Sequence, residues 1–516
     1  MKDSILYIWL PCKKVYPVGL TYLAQTVHDV HPEVEQRILD LSLIPRSQRS
    51  SALREAIRTL QPDLLLFSWR DIQIFAPHDG DPTLKYAFTM DYSRNPIKRL
   101  VASLKGLRSF ISYHQGIREC LSYPWQARSE FPQLPMMIGG GAFSVFSDQL
   151  IRMLPEGTIG ILGEGEEPVL KMIEGRDLGE ERCITRRNGQ TLEGKKGTSR
   201  DISNLRMDLA YLETIFPQHP AYHDECIGVQ TKRGCPYDCQ FCEYPYIEGK
   251  RVRYRPPEKI LADILQHYER WGTRRFWLTD AQFITGKQAL PHCTDILERI
   301  IASGIKIEWS GYIRTSLITA PLAKLMVQSG VGDIEVAITS GSQKVLNELH
   351  MGFKLDHLYE GCRYLKEAGF AGRVLLNYSL NSPGDTEETL RESVESYKKI
   401  AEILGEDRVF PMLFFLGIQP HTGLEDRLIS KGYLSSGYNP LSMNPFLIKK
   451  LLYNPAPLSH RIAKACLSAW EITAQKKSAA TGLSMKTVYA DRSLFQGVVE
   501  DSGRQTFVQL EELLKK

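Results

Sequence analysis

Three of the chain's ten cysteines fall within "TKRGCPYDCQFCEYPY", at Cys235, Cys239 and Cys242. Their spacing is Cys-x3-Cys-x2-Cys. Three thiolates can hold a [4Fe–4S] cluster and leave one iron open to chelate a small molecule. A structural zinc site wants four ligands, usually as two well-separated pairs. His219, His223 and Cys226 lie upstream at no recognised spacing. On spacing alone, a zinc or redox thiol cluster stays open as a second reading. The segment follows a predicted strand and ends in Pro-containing turns. That places the thiols on a loop at a strand's C-terminal end, the face where barrel folds do chemistry.

The elements that must hold this loop read as an α/β chain. From Ile227, strands and helices alternate. The predicted strands are Ile227–Thr231, Arg275–Asp280, Lys306–Tyr312, Asp333–Ile338, Arg373–Leu380 and Phe410–Gly417. Helical patterns cover Pro257–Trp271, Leu290–Ser303, Ala320–Ser329, Lys344–Leu349, Leu355–Ala368 and Thr386–Ile403. Six βα units are too few for a closed eight-stranded barrel. They suit a three-quarter barrel, open on one side. The N-terminal part alternates too, with buried strands at Ile5–Leu10, Glu35–Leu41, Asp63–Trp69, Pro135–Gly141 and Ile159–Glu166. Strands apolar on both faces imply a parallel sheet of about five strands between helices. A long insertion, Arg70–Phe131, is helical over Pro96–Cys120. Cys183–Lys195 reads as a hairpin turning at "NGQ", and residues 198–216 as an irregular linker. The expected division is 1–195, a linker at 196–220, 221–425, and a mainly helical extension at 426–516.

Composition bounds the function. A charged fraction of 24% and a hydrophobic fraction of 43% are ordinary for a globular protein. A net charge of +4 gives no reason to expect nucleic acid or an acidic membrane surface. The apolar run at Ile5–Leu10 is too short for a signal-peptide core or a membrane span. A cytoplasmic protein without a transmembrane segment is the expectation. There, clustered cysteines bind metal or react more often than they form disulfides.

"CPYDCQFC", with Phe241 directly before the third cysteine, resembles the signature of radical S-adenosylmethionine (SAM) enzymes. The resemblance runs to about residue 425. "FWLTDAQF" is similar to the family's second strand, with Asp280 as its acidic residue. "WSGYIRTS" is similar to the third, with Arg314. "TSGSQKVLNELHMGF" resembles the fourth-strand motif, carrying Ser340, Gly341 and Ser342. "NSPGDTEETL" resembles the turn after strand five. Thr339 stands where family members usually carry Glu. The resemblance implies a [4Fe–4S] cluster on the three cysteines and SAM on the open iron. It further implies Phe241 near the adenine, and Asp280, Arg314, Ser340 and Ser342 as cofactor contacts.

An open parallel sheet binds ligands beyond its strand C-termini. The loops there include "PCKKVYPVGL", "SWRD", "GGGAFS" and "GEGEE". Joined to a radical SAM domain, this half resembles a Rossmann-like cobalamin-binding domain. Ser68 matches the serine ending strand three, and Gly139 and Gly140, followed by Gly141, match the paired glycines that approach the nucleotide tail. The Asp-x-His-x-x-Gly loop that supplies a histidine to cobalt in other B12 proteins is absent. His28 lies inside the first helix and is not expected as a ligand. Cys12 is conceivable, though it reads better as a plain loop thiol. The resemblance is to the branch of cobalamin-dependent radical SAM enzymes that holds the anaerobic magnesium-protoporphyrin monomethyl ester cyclase and hopanoid and bacteriochlorophyll methylases. It implies methylation of an unactivated carbon of a small-molecule substrate, with oxidative cyclisation as the alternative. A non-catalytic cobalamin carrier is the rival from another class. An external electron donor such as a flavodoxin or ferredoxin is implied. No catalytic side chain, substrate or oligomeric state follows from the sequence. The insertion and the extension are expected to shape the substrate pocket.

Overall fold

The computed structural model describes residues 2–71, 82–194, 200–453 and 458–515. Parts of the predicted insertion (72–81) and linker (196–199) lie outside these. The N-terminal strands are β1 (Ser4–Trp9), β2 (Glu35–Asp40), β3 (Leu64–Ser68), β4 (Met136–Gly139), β5 (Ile159–Ile161), β6 (Cys183–Arg187) and β7 (Gln190–Glu193). Their order is β2-β1-β3-β4-β5-β6-β7. The first five run parallel, and every side chain of β1 is buried. The predicted hairpin is present, but it does not stand apart. It joins β5 as two antiparallel edge strands, so the sheet has seven strands and is mixed. The predicted strand at Pro135–Gly141 ends early. Gly140 adopts φ 96° and a helix begins at Gly141.

The helices of this half include α1 (Val18–Val30), α2 (Arg49–Leu60), α3 (Pro82–Tyr92) and α4 (Pro96–Glu130). The helical stretch predicted to end at Cys120 continues for ten more residues as one 35-residue helix. The side chain of Asn95 caps its start by accepting from Ile97 N and Lys98 N.

The segment predicted to be an irregular linker is packed. Asp208 caps a helix at Leu209–Ile215, and Ile202, Leu205, Met207, Leu209 and Leu212 are buried. Its polar groups bond to both halves of the chain. Asp208 N donates to Gln25 Oε1 (3.0 Å) on α1, and Met207 N to Asp263 Oδ1 (2.9 Å) on the helix Pro257–Arg270. Asp263 also accepts from Tyr22 Oη (2.9 Å) and Arg255 Nη2 (2.7 Å), all within a buried cluster. Removing one partner of such a pair strands the other in a low-dielectric interior. Asp263→Ala therefore lowers unfolding free energy by about 3–5 kcal/mol, measured by denaturant titration. A loss below about 1 kcal/mol, the value of an exposed pair, would contradict this reading.

The second sheet comprises β8 (Ile227–Val229), β11 (Arg275–Leu278), β12 (Glu308–Tyr312), β13 (Val331–Thr339), β14 (Val374–Tyr378) and β15 (Val409–Leu413). All neighbours are parallel, and the order β15-β14-β13-β12-β11-β8 leaves β8 and β15 as edges, which is the open barrel expected. A short antiparallel pair, β9 (Lys232–Arg233) and β10 (Arg253–Tyr254), closes the base of the cysteine loop. One buried apolar cluster runs from β1 and α1 through residues 202–216 into the barrel. The extension is helical, with two helices the sequence did not suggest, Met485–Ala490 and Arg492–Asp501. Its last helix, Gly503–Leu514, covers the β15 edge. A Cβ at Gly503 would lie 1.6 Å from Pro411 O, so only glycine allows this approach. The helix Ser459–Thr481 meets α3, where Trp470 stacks on Phe88 at 5.5 Å.

Candidate active site

The cysteine loop leaves β8 and is pinned at once by Asp280, at the end of β11. Asp280 accepts from Thr231 N (2.7 Å), Lys232 N (3.1 Å), Lys232 Nζ (2.8 Å) and Thr231 Oγ1. Both Lys232 and Asp280 are 1% exposed. Asp280 therefore spends its carboxylate on the loop's entry and does not stand on the cavity wall. Farther on, Gly234 takes φ 92°, where a Cβ would meet Arg251 O at 2.2 Å. Gly234 N donates to Glu248 Oε2 (2.9 Å) and Cys235 N to Gly249 O (3.0 Å).

Cys235, Cys239 and Cys242 line one cavity with Phe241, Tyr237, Tyr244 and Arg314. The Arg314 guanidinium lies 3.6 Å from the Tyr237 ring centre and donates to Met351 O at 2.7 Å. Cys235, Cys239 and Cys242 are free thiols. Burial pushes the three thiols above their ordinary pKa, and Arg314 opposes this at Cys235 and Cys239. Among the described residues, no three His, Cys, Asp or Glu side chains converge as a single ion requires. Three thiols on one wall with no fourth donor fit the corners of a cubane better than a zinc ion. Gln282 Oε1 and Thr315 Oγ1 are buried without a partner and line the same cavity. Buried polar atoms are nearly always paired, so these orphans fit a polar ligand beside the thiols.

Ser340 and Ser342 are not on that wall. Ser340 Oγ lies 3.3 Å from Ser393 Oγ and accepts from Ser342 N (3.1 Å). A Cβ at Gly341 would approach Ser393 Cα to 2.5 Å. The motif thus seats the helix Glu387–Leu404 against the end of β13, and Ser342 Oγ is buried without a partner. The residue before it is strained. Thr339 is β-branched yet sits at φ 63°, fully buried, with Oγ1 unpartnered.

A second cavity, of about 270 Å³, opens at the C-terminal ends of the first sheet. That is near the lower bound of ligand pockets, roughly 300 Å³. Ser68, Gly139, Gly140 and Gly141 line it, with Val18 and Gly19 from the start of α1. Ser68 and Gly139 are register partners. A Cβ on Gly19 would meet nothing within 4 Å, so this wall is cut back to backbone. Among the described residues, no histidine lines the cavity. His28 instead stacks on Tyr211 at 3.7 Å, and the Cys12 thiol donates to Lys13 O. The barrel supplies the remaining wall through Gln230, Arg233, Ile247 and Glu248. Arg233 Nη2 bonds Glu166 at 2.6 Å, and Arg253 Nη1 bonds Glu164 at 2.8 Å. Burial alone would raise the Glu166 carboxyl, yet Arg233 wins and holds it below its ordinary value.

The two cavities are neighbours. Tyr244 lines the first and Ile247 the second, at opposite ends of a four-residue helix. A Cβ on Gly163 would lie 2.5 Å from Ile247 O, and Arg182 Nη1 donates to Tyr246 O at 2.9 Å. The Tyr246 ring stacks on His421 at 4.0 Å. The strand ends of both sheets therefore face the same helix.

Several site residues escaped the sequence reading. Arg233, Glu164 and Glu166 lay in quoted motifs but carried no spacing signal. Tyr312, Glu335 and Asn377 form a hydrogen-bonded set across β12, β13 and β14. Register pairs Tyr312 with Glu335, and Asn377 Nδ2 donates to Glu335 Oε2 at 3.3 Å. These half-buried side chains alternate with fully buried ones, so they share a face. Ala337, two residues along that face, lines the cysteine cavity. Burial raises the Glu335 carboxyl.

Comparison with known proteins agrees with this geometry. Residues 229–397 match the Radical SAM superfamily model. The chain is 26% identical over 255 residues to the hopanoid C-2 methylase of Rhodopseudomonas palustris, covering 46% of this chain and 45% of that protein. It thus spans about half the length of that curated relative. The radical SAM methyltransferase TsrM of Kitasatospora setae, solved with cobalamin and a [4Fe–4S] cluster, superposes with a TM-score of 0.63 at 17% identity, over 84% of this chain and 78% of TsrM. The cobalamin-dependent SAM radical enzyme OxsB, solved with aqua-cobalamin, gives 0.66 at 14% identity, over 98% of this chain and 72% of OxsB. At such identities the likeness is one of fold. The chain carries a radical SAM domain behind an N-terminal α/β sheet, in the architecture that cobalamin-dependent radical SAM enzymes share.

Proposed function

We propose that this chain is a cobalamin-dependent radical SAM enzyme that methylates a carbon of an organic substrate. The observation that carries the reading is the pair of neighbouring cavities. One is lined by three free thiols and the other by Ser68 and Gly139–Gly141, and the helix Tyr244–Ile247 contributes to both. Cys235, Cys239 and Cys242 would hold the cluster. Phe241, Arg314, Gln282 and Thr315 would face SAM, and Gly19, Ser68 and Gly139–Gly141 would cradle cobalamin. When bound, SAM on a reduced cluster supplies a 5′-deoxyadenosyl radical, and methylcobalamin supplies the methyl group. The chain's part is to orient substrate between the two cavities and keep water out. Tyr312, Glu335 and Asn377 are placed for that orientation.

Methyl transfer is favoured over ring closure by the likeness to the hopanoid methylase and to TsrM. An external one-electron donor of flavodoxin or ferredoxin type completes the proposal. A reducing compartment such as the cytoplasm agrees with three free thiols at Cys235, Cys239 and Cys242. No helix among the described residues is long and apolar enough to cross a membrane. The test uses anaerobically reconstituted protein with cobalamin, a reductant and SAM carrying a labelled methyl group. The expected result is 5′-deoxyadenosine and transfer of the label to cobalamin. Cobalamin binding without 5′-deoxyadenosine would leave the protein a carrier. 5′-Deoxyadenosine with no label on cobalamin would favour ring closure.

A further inference from the structure

The first half of α4 presents an apolar stripe that no described residue covers. Ile97, Leu100, Val101, Leu104, Leu107 and Ile111 are 72%, 63%, 44%, 63%, 57% and 43% exposed. At 100° per residue they fall within a stripe about 120° wide, the width of a face meant to be buried. The opposite side of the helix is already used. Ala102 is buried, and a Cβ on Gly106 would sit 3.4 Å from Tyr86 Cβ on α3.

Charge identifies the occupant. From Arg94 to Arg118 the chain carries six basic residues (Arg94, Lys98, Arg99, Lys105, Arg108 and Arg118) and no Asp or Glu. That local charge exceeds the +4 of the whole chain. A near-neutral total thus conceals it. Lys98, Lys105 and Arg108 are exposed beside or within the stripe. Nearby, Phe446 is 80% exposed at the start of the helix Pro445–Tyr453, which Lys449 ties to Asp91 of α3 at 3.1 Å.

We propose that this face of α4 binds an anionic phospholipid surface, lying flat with its aliphatic side chains among the acyl chains and its basic ones at the headgroups. A second copy of the chain fits poorly, because a twofold contact would set the same basic residues against each other. Protein interfaces also favour aromatic cores with rims of mixed polarity, whereas this stripe is aliphatic and its flanks carry one sign of charge. The proposal is independent of the reaction.

The experiment is co-sedimentation of the full chain, loaded with its cluster, with phosphatidylcholine vesicles and with the same vesicles containing one third phosphatidylglycerol. The protein is expected to pellet with the mixed vesicles, to stay in solution with pure phosphatidylcholine, and to be released by salt. Changing Lys98, Lys105 and Arg108 singly to Ala should lower partitioning about fivefold each. Leu104→Ser with Leu107→Ser should abolish it, while iron content and thermal unfolding stay as in the parent, since these side chains are exposed. Equal binding to both vesicle types, or no loss in the variants, would overturn the proposal. So would a dimer in solution that the double serine variant dissociates, which would make this face a contact between copies.

Discussion

Changing any one of Cys235, Cys239 or Cys242 to Ala is expected to strip the chain of iron and abolish SAM cleavage. The parent, purified without oxygen, should carry about four irons per chain, one cubane anchored by three thiolates. These are the cysteine thiols lining their cavity, so losing one leaves a cluster two thiolate ligands and two open irons. Burial makes recovery harder. It already disfavours the thiolate at all three positions, and the cluster must displace those protons to bind. Iron analysis and 5′-deoxyadenosine formation measure the two effects separately. Cys226→Ala is the control, since Cys226 is exposed and off the cavity wall. Full iron retention in any triad variant, or stoichiometric zinc in the parent, would end the cluster assignment.

The second large effect concerns the other cavity. Cobalamin bound by the chain is expected to show no nitrogen superhyperfine splitting in the electron paramagnetic resonance of its Co(II) form. Among the described residues no histidine stands on that wall, and His28 is engaged with Tyr211. Splitting from a protein or benzimidazole nitrogen would refute this. The matching variant is Gly19→Phe. Gly19 has ordinary helical geometry and open space on its side, so a large side chain fills the cavity without straining the backbone. Affinity for cobalamin should fall about 10- to 100-fold, the scale of an overpacking penalty, while the cluster iron is retained. Unchanged affinity would place cobalamin elsewhere or nowhere. Gly140 makes a poor test. Its φ of 96° and the contact with Trp69 O at 2.4 Å make any side chain there a folding defect.

What the sequence determined by itself was local. Cys235, Cys239 and Cys242 span eight residues of one loop, so chain spacing already confines the three sulfurs to one wall. The strands were legible because buried parallel strands must be apolar on both faces, and the helix from Pro96 was legible from its periodicity, with the Asn95 cap seen only in the structure. The tertiary structure decided what each polar group meets. Asp280 looked like a cofactor contact, yet folding brings Thr231 and Lys232 to it first, and their four hydrogen bonds use up its carboxylate. Ser340 found Ser393, 53 residues away. Tyr312, Glu335 and Asn377 had no common motif, because strand register alone puts them on one face. The stretch at 202–216 looked irregular because its apolar residues serve two domains at once, so no single period fits them. The apolar stripe of α4 was readable as a helix, but sequence cannot say which face of a helix the protein covers. Local spacing limits what one segment can do, and only the packing of distant segments settles which of its groups remain free to do it.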